Sequence, residues 1–445
     1  MKKVDVAIVG GGPAGRVIVH SLHKEDQKYS IALFKDEEIN VNRCAVPYGI
    51  NGKKQIEKYQ IDNKLITDFG AELIISKVEK INPEEDIVIL DDGRKFHYQY
   101  LVLATGASPS IPPIKGVELP DVVTVRSIDD LYQLRNKATS KKLNKVIIIG
   151  GGFIGVEVAA ELRIMGFEVI IIEATPQILV PSCEPEFSEP LSQILRDKGI
   201  DLKTKMRVNA FRKNKSSELE VQLEDNSVLS CDFAVLATGV QLNTDIAESS
   251  GIKTNNFGII CDEYQRTNYK NIFTAGDCAA KISYVTGQQT RGEFGTNAVF
   301  TGKIVAQNIT GKNRIFHGVI NANVTKIFDW SVGSAGLTEK MALDAGFDVI
   351  TGQSKVLDKY PMIDGVSHIL TKLIFDRKSH RLLGGSIMRQ GDVVVANVDF
   401  LSLAIQMKVT LEDLKVHQYA THPELAAKPS DNLFVFATQD AEQKT

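Results

Sequence analysis

Residues 40–52 read NVNRCAVPYGING, with one cysteine, Cys44, and no second cysteine nearby. The thiol stands beside Arg43 and ahead of a helical stretch whose first turn tolerates Pro47. A helix N-terminus and a guanidinium both favour the thiolate, the nucleophilic form of sulfur. The other four cysteines, Cys183, Cys231, Cys261 and Cys278, are scattered without a CxxC pair. Such a sparse, odd set suits a reducing cytoplasm, argues against a disulfide scaffold and offers no structural zinc pattern. These four read as structural.

A second chemistry lies in two glycine loops. Residues 4–22, VDVAIVGGGPAGRVIVHSL, run from an apolar strand through a GxGxxG turn at Gly10, Gly12 and Gly15 into a helix. Residues 144–162, NKVIIIGGGFIGVEVAAEL, repeat the pattern with Gly150, Gly152 and Gly155. The first glycine permits the tight turn, the second admits backbone amides to a pyrophosphate, and the third lets the helix close on the strand. The helix N-terminus then presents free N–H groups and positive dipole to the phosphates. A second apolar stretch follows each loop, SIALFKD at 30–36 and FEVIIIEA at 167–174, so two complete dinucleotide-binding units stand in one chain. Glu173 ends the second of these stretches. An acid there accepts hydrogen bonds from the adenosine ribose and repels a 2′-phosphate, which favours NADH over NADPH. The comparable place in the first unit holds Lys35, with Asp36 beside it.

Other elements position these groups. YLVLATGASP (100–109) and FAVLATGVQ (233–241) read as strands ending in Ala-Thr-Gly, and NIFTAGDCA (271–279) as a strand ending in Gly276-Asp277. FGTNAVFTGKIVAQNI (294–309) reads as a helix. From 321 the texture changes to strands (324–339 and 370–388) and helices (340–347 and 392–408), a mixed α+β domain without a nucleotide loop. At 445 residues two or three domains are expected. Fifty-two Lys and Arg against 55 Asp and Glu leave a net charge of -3 and no electrostatic footprint for nucleic acid. No apolar run reaches the roughly 18 residues of a membrane span. MKKVDVAIVGGG imitates the start of a signal peptide but runs into a glycine loop where a cleavage site would stand.

The twin loops, ATGASP, TAGD and the cysteine at a helix start together resemble the flavoprotein disulfide reductases, over nearly the whole chain. The two-cysteine members carry a second thiol shortly after the first; here no second cysteine follows Cys44, and Tyr48 stands four residues on. RCAVPYGI and the Gly336–Glu339 turn resemble the single-cysteine branch, which includes coenzyme A-disulfide reductases, NADH oxidases and polysulfide reductases. The resemblance implies an α/β fold with two Rossmann-like domains and a C-terminal α+β dimerisation domain. Residues 1–112 and 253–320 would form a discontinuous FAD domain, 113–252 an NAD(P)H domain and 321–445 the dimer interface.

The resemblance also implies roles. Cys44 would be the redox centre, with NADH the favoured hydride donor and NADPH the alternative. With no second protein thiol, Cys44 must pair with a small molecule's sulfur or react with oxygen. The FAD side would be contacted by Gly10, Gly12, Pro13, Ala14, Gly15, Lys35, Asp36, Arg43, Val78, Thr105, Gly106, Gly276 and Asp277. The nicotinamide nucleotide would meet Gly150, Gly152, Ile154, Gly155, Glu157, Glu173 and Gly239. Tyr360 and Tyr419 match active-site tyrosines donated by a partner subunit. His422 matches an acid–base histidine, although the supporting Glu five residues on is replaced by Ala427. No metal site is expected, and the enzyme is expected in the cytoplasm as a homodimer.

The expected reaction is NADH-dependent reduction of a small disulfide, persulfide or polysulfide. Alternatives are an NADH oxidase or peroxidase cycling Cys44 through sulfenic acid, and an electron-transfer reductase serving a protein carrier such as rubredoxin. Pro13 stands where oxidases and peroxidases of this branch usually carry a His. A coenzyme A substrate would need basic residues for its phosphates, yet Val17, Ser21 and Val299 occupy the corresponding contacts.

Overall fold

Each glycine loop leaves the carboxyl end of a buried parallel strand, and the sheet around that strand decides where the loop opens. The computed structural model describes residues 1–25, 28–180, 182–392 and 394–444. In the first sheet, Lys2–Val9 lies between Ile31–Lys35 and Lys95–Leu103, all parallel, with Ala71–Ile75 outside Ile31–Lys35. Val78–Asn82 and Ile87–Leu90 add an antiparallel hairpin beyond Lys95–Leu103. Ile272–Thr274, far away in sequence, pairs parallel with Lys95–Leu103. The second sheet has five parallel strands in the order Val122–Thr124, Phe233–Leu236, Lys145–Ile149, Glu168–Ile172 and Ile200–Lys203.

In both sheets the strand order reverses at the glycine-loop strand, and a crevice opens there at the strands' carboxyl ends. Close packing of each helix on its own glycine loop sets the local sterics. A Cβ on Gly15 would lie 2.1 Å from the Gly10 carbonyl oxygen, and one on Gly155 would lie 2.0 Å from that of Gly150. Only hydrogen at that position lets helices Pro13–His23 and Phe153–Ile164 close on their strands.

The two Ala-Thr-Gly segments cross and hold each other. Ala107–Pro109 pairs antiparallel with Val240–Leu242. Thr105 Oγ1 donates to the Asn243 carbonyl at 2.6 Å, and Thr238 Oγ1 to that of Ser110 at 2.6 Å. This crossing turns the two crevices toward a common cavity.

The third sheet is antiparallel, in the order Asn323–Ile327, Trp330–Gly336, Leu382–Gln390, His368–Asp376 and Val349–Leu357. Helices Val394–Gln406 and Leu433–Glu442 cover its core. Its strand Asn323–Ile327 packs on helix Phe153–Ile164. Lys372, 2% exposed, binds Glu184 at 3.2 Å, Glu186 at 2.8 Å and Glu339 at 2.6 Å, tying this sheet to the segment that follows the second unit's strand Glu168–Ile172. No helix among the described residues is long and apolar enough to cross a membrane.

Candidate active site

Cys44 sits in a 3₁₀ turn, Arg43–Ala45, that continues into the four-residue helix Val46–Gly49. Helices this short do not hold themselves together; the surroundings hold this one. Val46 and Ile50 are fully buried against helices Ile128–Ala138 and Phe153–Ile164. Arg135 donates to the Gly49 carbonyl from Nε at 2.9 Å and Nη2 at 2.6 Å, and Tyr59 Oη donates to that of Tyr48 at 3.0 Å. Gly49 also packs closely here: a Cβ there would meet Leu131 Cδ1 at 2.8 Å, so Leu131 would have to shift.

Cys44 faces a cavity of about 1520 Å³ lined by both glycine loops. That exceeds the ~300–1,000 Å³ of sites for one drug-sized ligand, and suits two dinucleotides end to end. The thiol's protonation differs from the expectation read off the sequence. Burial raises the Cys44 pKa, the carboxylates of Glu157 and Asp277 raise it further, and Arg126 opposes them. The residue is nevertheless exposed, because its open side is the cavity while its other sides are crowded by protein. Arg43 is not the cation that faces the sulfur; its Nη2 is paired with Glu37 at 3.2 Å. The four-residue helix supplies too little aligned dipole to reverse the outcome. Cys183, Cys231 and Cys261 are pushed by burial up to about 12, as inert packed thiols should be.

The cavity wall carries the first-unit residues Gly10, Gly12, Pro13, Ala14, Lys35, Asp36, Arg43, Val78, Thr105, Gly106, Gly276 and Asp277. Gly10 has φ +116°, and a Cβ there would sit 2.1 Å from the Ala104 oxygen. Lys35 is turned inward, its Nζ donating to Asn63 Oδ1 at 2.7 Å and the Glu38 carbonyl at 3.1 Å, which leaves Asp36 as the exposed group at the strand end. Gly15 lies behind the wall, at the helix–strand contact.

Three buried polar groups at this end lack a protein partner: Asn40 Nδ2, Arg126 Nε and Arg16 Nη1. Arg16 and Arg126 are each lowered in pKa, first by burial and then by Arg43. Lys35 is lowered by burial, and Arg16 adds to the effect. Arg16, Lys35, Arg43 and Arg126 crowd together here, and the orphaned N–H groups of Arg16, Arg126 and Asn40, near a glycine loop at a helix N-terminus, fit the pyrophosphate of FAD. Arg126, Asn40 and Glu37 are wall residues that sequence reasoning missed. They stand in no motif, and Arg126 reaches Asp277 (Nη2–Oδ2 3.6 Å) only through the fold.

At the other end the wall carries Gly150, Gly152, Ile154, Glu173 and Gly239, together with Arg207, also missed from sequence. Glu173 accepts from the Gly151 N–H at 2.6 Å and the Thr175 N–H at 2.6 Å, one on each carboxylate oxygen. Spare lone pairs on both oxygens remain for ribose hydroxyls. Gly155 is packed behind the loop.

Besides Gly15 and Gly155, four further expected site residues lie off this wall. Glu157 is 9% exposed and turned toward the third sheet, its Oε1 accepting from Thr325 Oγ1 at 2.7 Å. Tyr360, Tyr419 and His422 gather elsewhere. The Tyr360 N–H donates to the Pro423 carbonyl at 3.0 Å, Tyr419 Oη donates to that of Pro429 at 2.5 Å, and exposed His422 accepts at Nδ1 from the Glu424 N–H at 3.3 Å.

Comparison with known proteins decides the family. Residues 4–302 match the pyridine nucleotide-disulphide oxidoreductases, and residues 323–432 match the dimerisation domain of that group. The chain belongs to this family. It is 32% identical over 433 residues to an NADH oxidase of Methanocaldococcus jannaschii, covering 94% of this chain and 95% of that one. It is 28% identical over 433 residues to an NAD(P)H coenzyme A polysulfide/persulfide reductase of Pyrococcus horikoshii, covering 96% of each. The solved NAD-dependent persulfide reductase from A. fulgidus matches with a TM-score of 0.92 at 28% identity, over 99% of this chain and 83% of that one. The family member described here is a FAD-dependent oxidoreductase that works with a pyridine nucleotide, and its fold is α/β with a C-terminal dimerisation domain.

Proposed function

We propose that this oxidoreductase uses NADH to reduce a small disulfide, persulfide or polysulfide at Cys44. The observation that carries the reading is the placement of one thiol, without a second cysteine on the wall, at the cavity shared by both dinucleotide loops. Bound FAD supplies two-electron chemistry between a nicotinamide and a sulfur. Every other part belongs to the chain. The glycine loops and the cations Arg16, Arg43 and Arg126 hold the phosphates. Asp277 and Arg126 flank the sulfur with opposite charges. Glu173 orients the NADH ribose. Cys44 forms the mixed disulfide with the substrate's own sulfur, since no protein thiol is at hand to resolve it.

The domains are read as residues 1–112 with 253–320 for FAD, 113–252 for the nicotinamide nucleotide and 321–445 for dimerisation. The last completes the site in a cytoplasmic homodimer, bringing the partner subunit's Tyr360, Tyr419 and His422 toward Cys44. Large apolar side chains left bare beside these residues support that role, Met362 at 75%, Val416 at 76% and Leu425 at 77% exposure. The similarity to an NADH oxidase favours a second reading in which oxygen or peroxide takes the electrons through a Cys44 sulfenic acid.

Anaerobic stopped-flow tests both. Enzyme reduced with NADH is mixed with a disulfide panel, polysulfide or peroxide. Rapid reoxidation by a sulfur substrate, lost in Cys44→Ser, is the expected result. Reoxidation by peroxide alone transfers the assignment to the second reading, and equal disulfide turnover in Cys44→Ser removes the thiol from the reaction.

A further inference from the structure

The chain turns at Gly276–Asp277 on the cavity wall and runs through Cys278, Ala279 and Ala280 to Lys281. The carbonyls of this turn are held from behind. Those of Asp277 and Ala279 accept from Lys281 Nζ at 3.2 and 2.8 Å, and that of Cys278 accepts from the Ile259 N–H at 2.7 Å. Neither Lys281 nor Ile259 is on the wall. What the turn shows the cavity is Asp277, whose Oδ2 lies 3.6 Å from Arg126 Nη2 and which is among the charges facing Cys44.

Lys281 itself is 3% exposed and stands in no motif. Lys372 is as deeply buried, but three carboxylates neutralise it. Lys281 touches only backbone carbonyls, and among the described residues no carboxylate comes within ion-pair distance of it. Burial lowers its pKa, and the acids Asp277 and Glu293, both on the wall, act against that loss and keep it an ammonium at neutral pH. The result is a positive charge without a contact partner, shielded from salt and fixed directly behind the wall near the reactive thiol.

We propose that Lys281 is a positioning residue that raises the reduction potential of the bound flavin, by holding a buried positive charge behind the Asp277 turn. A hydride from NADH carries two electrons and one proton, so its arrival adds one negative charge to the cavity while the nucleotide leaves as NAD⁺. Asp277 and Glu293 oppose that added charge. The Lys281 ammonium offsets them, and its two bonds to the turn hold it in place, so no reorganisation is needed when the charge arrives. The proposal rests on flavin binding alone and holds whichever acceptor takes the electrons.

The test is equilibrium reduction of the holoenzyme against a dye of known potential, with Cys44 held as the thiol. Two variants separate charge from hydrogen bonding. Lys281→Met removes both, while Lys281→Gln removes the charge and keeps an N–H donor for the carbonyls of the turn. One charge acting over roughly 10 Å at an effective dielectric near 20 is worth about tenfold in an equilibrium. Both variants should therefore shift the ratio of oxidised to reduced enzyme about tenfold toward the oxidised form, ~30 mV for a two-electron couple. Titration of each apoprotein with FAD, and a thermal melt, show whether the turn still folds. A shift below about twofold in flavin-loaded Lys281→Gln overturns the proposal, even if Lys281→Met shifts, because the hydrogen bonds would then be the cause. Loss of FAD from Lys281→Gln overturns it as well, and assigns Lys281 to the packing of the turn.

Discussion

Replacing Glu173 with glutamine removes one charge and almost no volume, at the point where a nicotinamide nucleotide's ribose would meet the second glycine loop. A 2′-phosphate there would face the carboxylate at hydrogen-bond range. Two unit charges 4 Å apart interact by about 4 kcal/mol at an effective dielectric near 20. Glu173 is only half-buried, and the Debye length at physiological salt is about 8 Å. These reduce the repulsion to an estimated ~1.5–3 kcal/mol, even for a phosphate of more than one charge. At ~1.4 kcal/mol per tenfold, the ratio of kcat/KM for NADH over NADPH should fall about 10- to 100-fold. Part of the change should be a gain with NADPH, because exposed Arg207 on the same wall is then left without an opposing carboxylate there. Glutamine keeps one acceptor for the Gly151 and Thr175 N–H groups, so stability should drop by only ~1–2 kcal/mol. Steady-state kinetics with both nucleotides, alongside a thermal melt, decides the matter. A specificity ratio within about twofold of wild type in a folded Glu173→Gln protein would refute the electrostatic argument.

Other outcomes follow from contacts elsewhere. Gly155→Ala places a Cβ 2.0 Å from the Gly150 oxygen, so the helix must lift from its strand; a lowered melting temperature and weakened NADH binding by titration are expected. Lys372→Met leaves Glu184, 3% exposed, without its ammonium partner and should cost about 3–5 kcal/mol in urea unfolding. The same variant has a pH signature. Burial is the largest single influence and acts to raise the Glu186 carboxyl pKa, but the bond and charge of Lys372, with a backbone N–H and Gln353, together outweigh it and hold the group below the usual range. Its contribution is present above the unfolded value near ~4.3 and is lost as pH falls through the lower folded value. Acid-induced loss of stability in that window should therefore be shallower in Lys372→Met, and a slope equal to wild type would show that the ion cluster contributes nothing there.

Residues within a few positions of one another explain how much was readable in advance. The two glycine loops, their helices and Glu173 at its strand end are local demands. A glycine whose Cβ would lie 2.1 Å from a carbonyl oxygen of its own loop, or one at φ +116°, resists any side chain, so the requirement shows in the chain itself. The solitary Cys44 was equally visible, and so was the helix Gly295–Ile309. The ionisation bias of Cys44 was not. The sequence offered Arg43 as the neighbouring cation, whereas folding pairs Arg43 with Glu37 and brings Arg126, Glu157 and Asp277 to the sulfur.

The sequence by itself therefore determined the two nucleotide loops, the lone thiol and the α/β-plus-α+β order of the chain, because each rests on short-range sterics or periodicity. Tertiary structure alone decided which charges surround that thiol, that Glu157 is bonded to Thr325, 168 positions away, and that Tyr360, Tyr419 and His422 stand off the cavity wall. Such pairings depend on how separate sheets dock, and docking is set by the shape of whole buried faces, which leaves no mark in the spacing of any one segment.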